Sequence, residues 1–237
     1  MTTTRQAVTA DQLLHELADL LGERKKPDKP LIVGITGMDT SGKSQLATAL
    51  AAELGRRGQP RQLVRIDDFH HPRSHRYRSD LPEPEQYYQH SIDFTRCADE
   101  VLRPIRTDGR LDKQFTLLDV AEDTYTLHRG YSVSAETIVL VEGVFLFRPE
   151  IRELIEMFVS LVVREDVVLD RARIRDVPAQ GEDVLRKYHT KYLPAQRSYL
   201  AQYPSARYAE VVVDNSDWTT PVVERWPAHP RSTADGQ

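Results

Sequence analysis

Leu31-Ile32-Val33-Gly34-Ile35-Thr36 is an apolar run that leads directly into Gly37-Met38-Asp39-Thr40-Ser41-Gly42-Lys43-Ser44. The first part, 31–35, predicts a buried strand. The second fits G-x-x-x-x-G-K-[ST] at every fixed position, a spacing with a physical reason. A glycine-rich turn lets backbone N–H groups curl around phosphate oxygens, the lysine neutralises β/γ charge, and the final hydroxyl ligates magnesium. Residues 45–54 predict a helix, with Leu46, Leu50 and Leu54 at helical spacing, whose positive N-terminal end faces those phosphates. The expectation is a site for ATP or GTP with Mg²⁺, lined by Gly37, Asp39, Thr40, Ser41, Gly42, Lys43, Ser44 and Gln45.

Composition narrows the partners. With 237 residues and a formal net charge of −4, the chain has length for one sizeable α/β domain and lacks the basic excess of a general nucleic-acid binder. The one cysteine, Cys97, excludes an internal disulfide and a multi-cysteine zinc site, and reads as a buried helix residue. The start lacks the apolar segment of a signal peptide and no stretch approaches a membrane span, so a cytoplasmic location without a membrane partner is expected.

Thr9 with Gln12 resembles a capping box that opens a helix striped by Leu13, Leu14, Leu17, Leu20 and Leu21, with Gly22 and Pro27 ending it. Residues 23–29 then read as a charged linker. Further strands are expected at 62–66, within 137–147, at 158–163 and at 210–213, the last of the series. Strands alternating with helices imply a parallel sheet covered on both faces, with ligands at the carboxyl ends of the strands. Residues 70–91 are crowded with Arg, His, Tyr and Pro, and 111–134 predict an added β-hairpin on the substrate side. One domain over 1–226 is expected, with a helix and linker at 1–29, a lid at 171–186 and a disordered tail at 227–237.

Local chemistry separates three classes of triphosphate-binding protein. No N-K-x-D guanine reader exists, which removes the GTPase switches. The strand 138–141 ends in Glu142-Gly143 where a motor ATPase usually carries aspartate, although Glu142 could still hold magnesium. A small-molecule kinase needs a carboxylate to orient the acceptor hydroxyl and a cationic lid over the migrating phosphoryl group. Asp67, just past the second strand, fits the first need as general base and as a candidate metal neighbour with Ser44 and Glu142. Its neighbour Asp68 should point the other way, as successive side chains do in extended chain. Arg171-Ala172-Arg173-Ile174-Arg175-Asp176 fits the second need: read as the start of a helix after a strand, it puts Arg171 and Arg175 on one face and Arg173 away.

The phosphate loop, Asp67-Asp68-Phe69, Ile138 to Val144, Arg171 to Asp176, and Lys187-Tyr188 through Leu193-Pro194-Ala195 together resemble the uridine kinase branch of P-loop kinases, which also contains phosphoribulokinase and bacterial pantothenate kinase. The resemblance runs in order from about residue 31 to 217. It implies a P-loop NTPase three-layer sandwich and phosphorylation of a primary hydroxyl by ATP or GTP with Mg²⁺. By it Asp67 is the base, Glu142 the strand-end acid near magnesium, Arg175 a lid arginine preceding the aspartate, and Asp93 the acid that grips ribose hydroxyls. Homo-oligomerisation is common among such proteins, although no surface stripe in the sequence names an interface.

Phe69, His70, Tyr88, His90, Asp93 and Asp119 are the candidate acceptor-binding residues, with Tyr87 beside them. The chain departs from the family on this side. Uridine kinases carry a Tyr-Asp-Phe strand followed by a histidine that reads the pyrimidine edge; the ungapped match here is Leu118-Asp119-Val120 followed by Asp123. His128 could replace that histidine only in a shifted hairpin. The family's further lid arginines fall near Gln180 and Glu182. Arginines of the loop 70–78 could meet an anionic acceptor, whereas its histidines lack the pairing of a zinc site. The acceptor is therefore a nucleoside or, alternatively, pantothenate, a sugar phosphate or a specialised metabolite; a nucleotide-binding regulator without an acceptor is the reading from another class.

Overall fold

In the computed structural model, which describes residues 6–77 and 80–227, the apolar run before the phosphate loop becomes a strand covered on both faces. The chain order is β1 (Gln6–Ala7), α1 (Ala10–Arg24), β2 (Leu31–Gly37), α2 (Lys43–Arg56), β3 (Arg61–Arg65) and α3 (Glu83–His90). A helix over 94–108, with a π turn at Ala98–Leu102, precedes β4 (Leu111–Asp119), β5 (Thr124–Val133), β6 (Ile138–Gly143) and β7 (Met157–Val162). Then come α4 (Glu165–Arg175), α5 (Leu193–Gln202), β8 (Val211–Asp214) and β9 (Val222–Arg225).

Seven strands lie in the order β1-β9-β8-β7-β2-β6-β3. β3, β6, β2, β7 and β8 are parallel; β9 and β1 add on antiparallel at one edge. Period-two alternation divides the strand side chains. Val33, Ile35, Leu140 and Val159 pack with Leu17, Leu21, Leu50 and Leu54 of α1 and α2, while Ile32, Val139, Val141 and Phe158 pack with Cys97, Val101 and Tyr199 on the opposite side. The α/β expectation of a three-layer fold with a mainly parallel sheet holds. Because the chain leaves β2 toward β3 on one side and later reaches β7 on the other, a crevice opens at the carboxyl end of β2, where the phosphate loop lies.

Several local readings need correction. The second strand stops at Arg65, and Ile66–Phe69 forms a 3₁₀ turn instead of continuing extended. Asp67 and Asp68 still diverge, but by the rotation of that turn and not by strand alternation. The arginine-rich helix begins at Glu165, so Arg171 and Arg175 sit in its last turns. The strand 210–213 is followed by another, β9, which is too short to leave a sequence pattern. Gly22 lies inside α1, which runs on to Arg24. Arg78 and, apart from Pro227, the tail 227–237 lie outside the described residues.

The hairpin is where it was expected. β4 and β5 pair antiparallel, with Phe115 opposite Arg129 and Leu117 opposite Leu127. Phe115, Leu117, Tyr131 and Val133 bury one face against the core. A bidentate ion pair adds a polar tether: Arg129 Nε and Nη2 donate to Asp68 Oδ2 and Oδ1 at 2.7 and 3.2 Å. Asp68 is only 8 % exposed, so loss of Arg129 would leave a buried carboxylate without its partner. Asp68→Ala is expected to lower stability by about 1–3 kcal/mol and to speed amide exchange in 111–133 more than in the parallel sheet. Equal acceleration in both regions would show that the pair does not hold the hairpin.

Candidate active site

The loop between β2 and α2 is shaped by backbone geometry that few side chains tolerate. A Cβ on Gly37 would lie 2.5 Å from the Leu161 carbonyl oxygen and 2.6 Å from Ser41 Oγ. Gly42 has φ 94°, and a Cβ there would strike Asn215 Nδ2 at 2.6 Å. Thr40 has φ 58°, a rare state for a β-branched residue. It is held from both ends: Thr40 Oγ1 donates to the Val168 carbonyl at 3.1 Å, and Arg171 Nη1 donates to the Thr40 carbonyl at 3.2 Å. Ser41 Oγ is buried with no hydrogen-bond partner. A turned loop with an orphaned hydroxyl, opening onto a helix N-terminus, fits an anionic phosphate tail.

Charge converges on the same point. Lys43 is 6 % exposed. Ser44 Oγ donates to Glu142 Oε2 at 3.1 Å, and Arg65 Nε lies 3.8 Å from Glu142 Oε1. Burial pushes the Glu142 carboxyl above its usual range; Lys43 opposes the shift and Asp67 adds to it. Asp39 is raised for the same reasons, burial first, with Lys43 opposing and Asp67 adding. Asp67, on the 3₁₀ turn, is itself exposed to the cleft. Three carboxylates thus surround one buried ammonium. No group of three or more His, Cys, Asp or Glu side chains is placed as a ready-made metal cage among the described residues. Ser44 and Glu142, with Asp67 beyond them, could hold a hard cation that keeps most of its waters, as Mg²⁺ does.

The side chain of Asp39 points away from the loop's concave face. Its Oδ2 accepts from Tyr87 Oη at 3.0 Å and from Gln196 Nε2 at 2.7 Å, and its backbone N–H donates to Gln196 Oε1 at 3.2 Å. Asp39 therefore links the loop to α3 and α5. Of the two lid arginines, Arg171 is a brace: it donates to the carbonyls of Thr40, Asn215 and Ser216 at 3.2, 2.7 and 3.2 Å. Arg175 is held by Asp176 at 2.6 and 2.9 Å and by Tyr188 Oη at 3.2 Å, in a triad that Tyr188 closes by donating to Asp176 at 2.7 Å. Arg173 turns outward to Asp170.

The proposed acceptor residues divide. His70 Nδ1 lies 2.6 Å from the Asp67 carbonyl oxygen, and Asp93 Oδ2 lies 3.9 Å from His71 Nδ1. The rings of His71 and His75 are 4.0 Å apart and those of His75 and His90 5.2 Å, so these groups share one side of the cleft. Phe69 does not: it is 1 % exposed and packs edge-on against Phe115. Tyr88 lies against Phe145 with the Arg148 guanidinium 4.4 Å over its ring, while Tyr87 faces the loop. Asp119 Oδ1 accepts from the N–H groups of Ala121 and Glu122, so its carboxylate caps the hairpin turn. His128 is exposed on β5, 3.4 Å from Thr116 Oγ1. The contacts of Gln196, Asn215 and Tyr188 escaped the sequence reading, although Tyr188 lies in a segment that carries the family resemblance. Their partners are more than ten residues away, and no spacing pattern marks such contacts.

No profile of a known family matches the chain. A uridine kinase of Geobacillus kaustophilus is 27 % identical over 196 residues, spanning 78 % of this chain and 86 % of the relative. Among solved structures, a "possible uridine kinase" from Bacillus stearothermophilus superposes with a TM-score of 0.65 at 23 % identity, covering 85 % of this chain and 97 % of the other. The chain is similar to uridine kinases of the P-loop type over most of its length. A D-glycerate 3-kinase of Cryptococcus neoformans shares the fold at a TM-score of 0.52 and 14 % identity, over 78 % of this chain and 86 % of that one. The kinase likeness carries ATP-dependent phosphoryl transfer to a small molecule as its coarse activity. No helix among the described residues is long and apolar enough to cross a membrane.

Burial of the Glu142 carboxyl, with the charge of Asp67 adding to it, should cost the free protein stability. Glu142 is raised above its ordinary 4.5, so its protonated form suits the fold, and its contribution is lost as pH rises. Glu142→Gln should therefore raise Tm at neutral pH by about 2–4 °C for each kcal/mol relieved, with the gain shrinking below about pH 4.5. Melting curves across pH read this directly, and a lower Tm for the variant at neutral pH would refute it.

Proposed function

We propose that this chain is a magnesium-dependent kinase that moves the γ-phosphoryl group of ATP or GTP onto the primary hydroxyl of a nucleoside or nucleoside-like alcohol. The observation that carries the reading is Asp67: an exposed carboxylate at the carboxyl end of the sheet, within electrostatic reach of the buried Glu142 beside Lys43 and Ser44. Lys43 and the loop amides bind the phosphates. Ser44 and Glu142 hold Mg²⁺, which when bound neutralises charge on the phosphate oxygens. Asp67 accepts or orients the proton of the attacking hydroxyl. Arg175 balances charge on the transferring group after exchanging Asp176 for it, and Arg171 keeps the loop in shape. Placement and electrostatic complementarity supply the rate, without a covalent enzyme intermediate. The kinase works as one domain over 1–226, in the cytoplasm, without nucleic-acid or membrane partners.

A second acceptor class has specific support. Leu118 is 1 % exposed and Asp119 caps a turn, so neither supplies a pyrimidine-edge contact from the hairpin. The histidine group around Asp93 suits a polyol or acidic alcohol, a sugar phosphate among them. A panel of nucleosides, pantothenate, sugar phosphates and glycerate, read by acceptor-dependent ADP release and product mass, separates the two. Asp67→Asn should lower kcat by about 10²–10⁴-fold while the Kd for ATP moves little. Turnover that survives the substitution rules out Asp67 as the base.

A further inference from the structure

Phosphoryl transfer as derived above leaves two buried cations unused. Arg76 and Lys191 are each 9 % exposed. Arg76 ends the helical turn Arg73–Arg76, and Lys191 lies in the π turn Tyr188–Tyr192 that leads into α5. The two charges are close enough to oppose each other. Burial first pushes the Lys191 ammonium below its usual range, with Glu83 opposing the shift and Arg76 and Lys187 adding to it.

The protein neutralises this pair poorly. Arg76 Nη2 lies 3.5 Å from Asp123 Oδ1, an oxygen that already accepts from the Arg73 N–H at 2.8 Å. Arg76 Nε is buried with no hydrogen-bond partner. Lys191 makes no hydrogen bond or ion pair among the described residues; the rings of Tyr77, Tyr87 and Tyr192 surround its ammonium at 4.9, 5.8 and 5.5 Å. The Glu83 carboxylate is engaged by the Thr190 hydroxyl at 2.6 Å. A guanidinium N–H and an ammonium left without acceptors in a desolvated place are costly until a ligand supplies oxygen atoms.

The pair also lies beside the reacting end of the cleft. Tyr87 donates to Asp39 of the phosphate loop, its ring is 4.9 Å from that of Tyr192, and the charge of Asp67 reaches its hydroxyl. His75, next to Arg76, has its ring 4.0 Å from that of His71, which faces Asp93. We propose that Arg76 and Lys191 form an anion subsite for an oxyanion, a phosphate monoester or a carboxylate, carried by the acceptor whose hydroxyl lies at Asp67. The proposal rests on the kinase reading above and selects its acidic acceptor. A guanidinium fork with an adjacent ammonium matches the charge and oxygen geometry of such a group. A neutral alcohol would leave both cations unpaired, so the subsite discriminates against it.

Titration calorimetry on the full chain saturated with Mg·ADP, which keeps the phosphate loop occupied, tests this. The probes are fructose 6-phosphate against fructose, and glycerol 3-phosphate and glycerate against glycerol. At least one anionic alcohol is expected to bind about tenfold or more tightly than its neutral counterpart, and the glycerate arm tells carboxylate from phosphate. Arg76→Gln and Lys191→Met should each cut that preference by about tenfold while the Kd for Mg·ADP stays put; Lys191→Arg, which keeps the charge, should retain most of it. In turnover the loss should appear in KM more than in kcat. Equal affinity for charged and neutral alcohols throughout the panel, or an unchanged preference in both Arg76→Gln and Lys191→Met, overturns the anion subsite alone. Loss of Mg·ADP binding in both variants would show that the cations hold the fold, and overturns it as well. Failure of the wild type to take up Mg·ADP overturns the kinase reading itself.

Discussion

The buried ammonium of Lys43 governs the arrangement around it. Glu142 and Asp39 lie near the end of β2, and burial first, with the charge of the exposed Asp67 adding to it, pushes both carboxyls above their usual range. The lysine charge opposes that shift in both buried acids. The remaining polar contacts distribute the load. Ser44 donates to Glu142, Tyr87 and Gln196 donate to Asp39, and Asp67 stays at the wet side. An excess of negative charge held by packing weighs on the fold unless something neutralises it.

Position follows from topology. Parallel strands on both sides of β2 fix the height of the phosphate loop relative to Glu142 on β6, because residues 35 and 142 are register partners. β3 pairs with β6 at Arg65 and Glu142, so the 3₁₀ turn bearing Asp67 begins beside the same level. Glu142 and Asp67, from separate segments, thus reach one site although neither is close in sequence to the loop. The hairpin and the Asp68–Arg129 pair then cover the outer side of that turn.

Much of this was readable in the chain because strong local constraints set it. The strands β2, β6 and β7 are buried on both faces and so are continuous apolar runs, and Gly42 with Lys43 and Ser44 leaves little freedom for the loop. Cys97 was also readable as a buried helix residue, and it is 0 % exposed. Short edge strands such as β9 depend on pairing with β8, which no single-segment pattern encodes. The start of α4 was misplaced because Val163-Arg164-Glu165 gives no glycine or proline punctuation before it. Arg171 was legible as a cation near the lid but not as a carbonyl brace, since its three acceptors come from distant turns. Asp119 carried the right residue type for a sugar contact and the right position for capping a turn; local hydrogen bonding decided for the turn.

The left-handed Thr40 limits how the arginine-bearing segment can move. Its hydroxyl and carbonyl are bonded to Val168 and Arg171, so the first two turns of α4 belong mechanically to the loop. Any swing must pivot farther along, after the Arg175–Asp176–Tyr188 triad opens, and Gly181 with φ 78° offers the backbone freedom for a hinge there. Opening and closing would then displace the 177–187 segment while leaving the phosphate cradle stationary, so the loop keeps its shape through the motion.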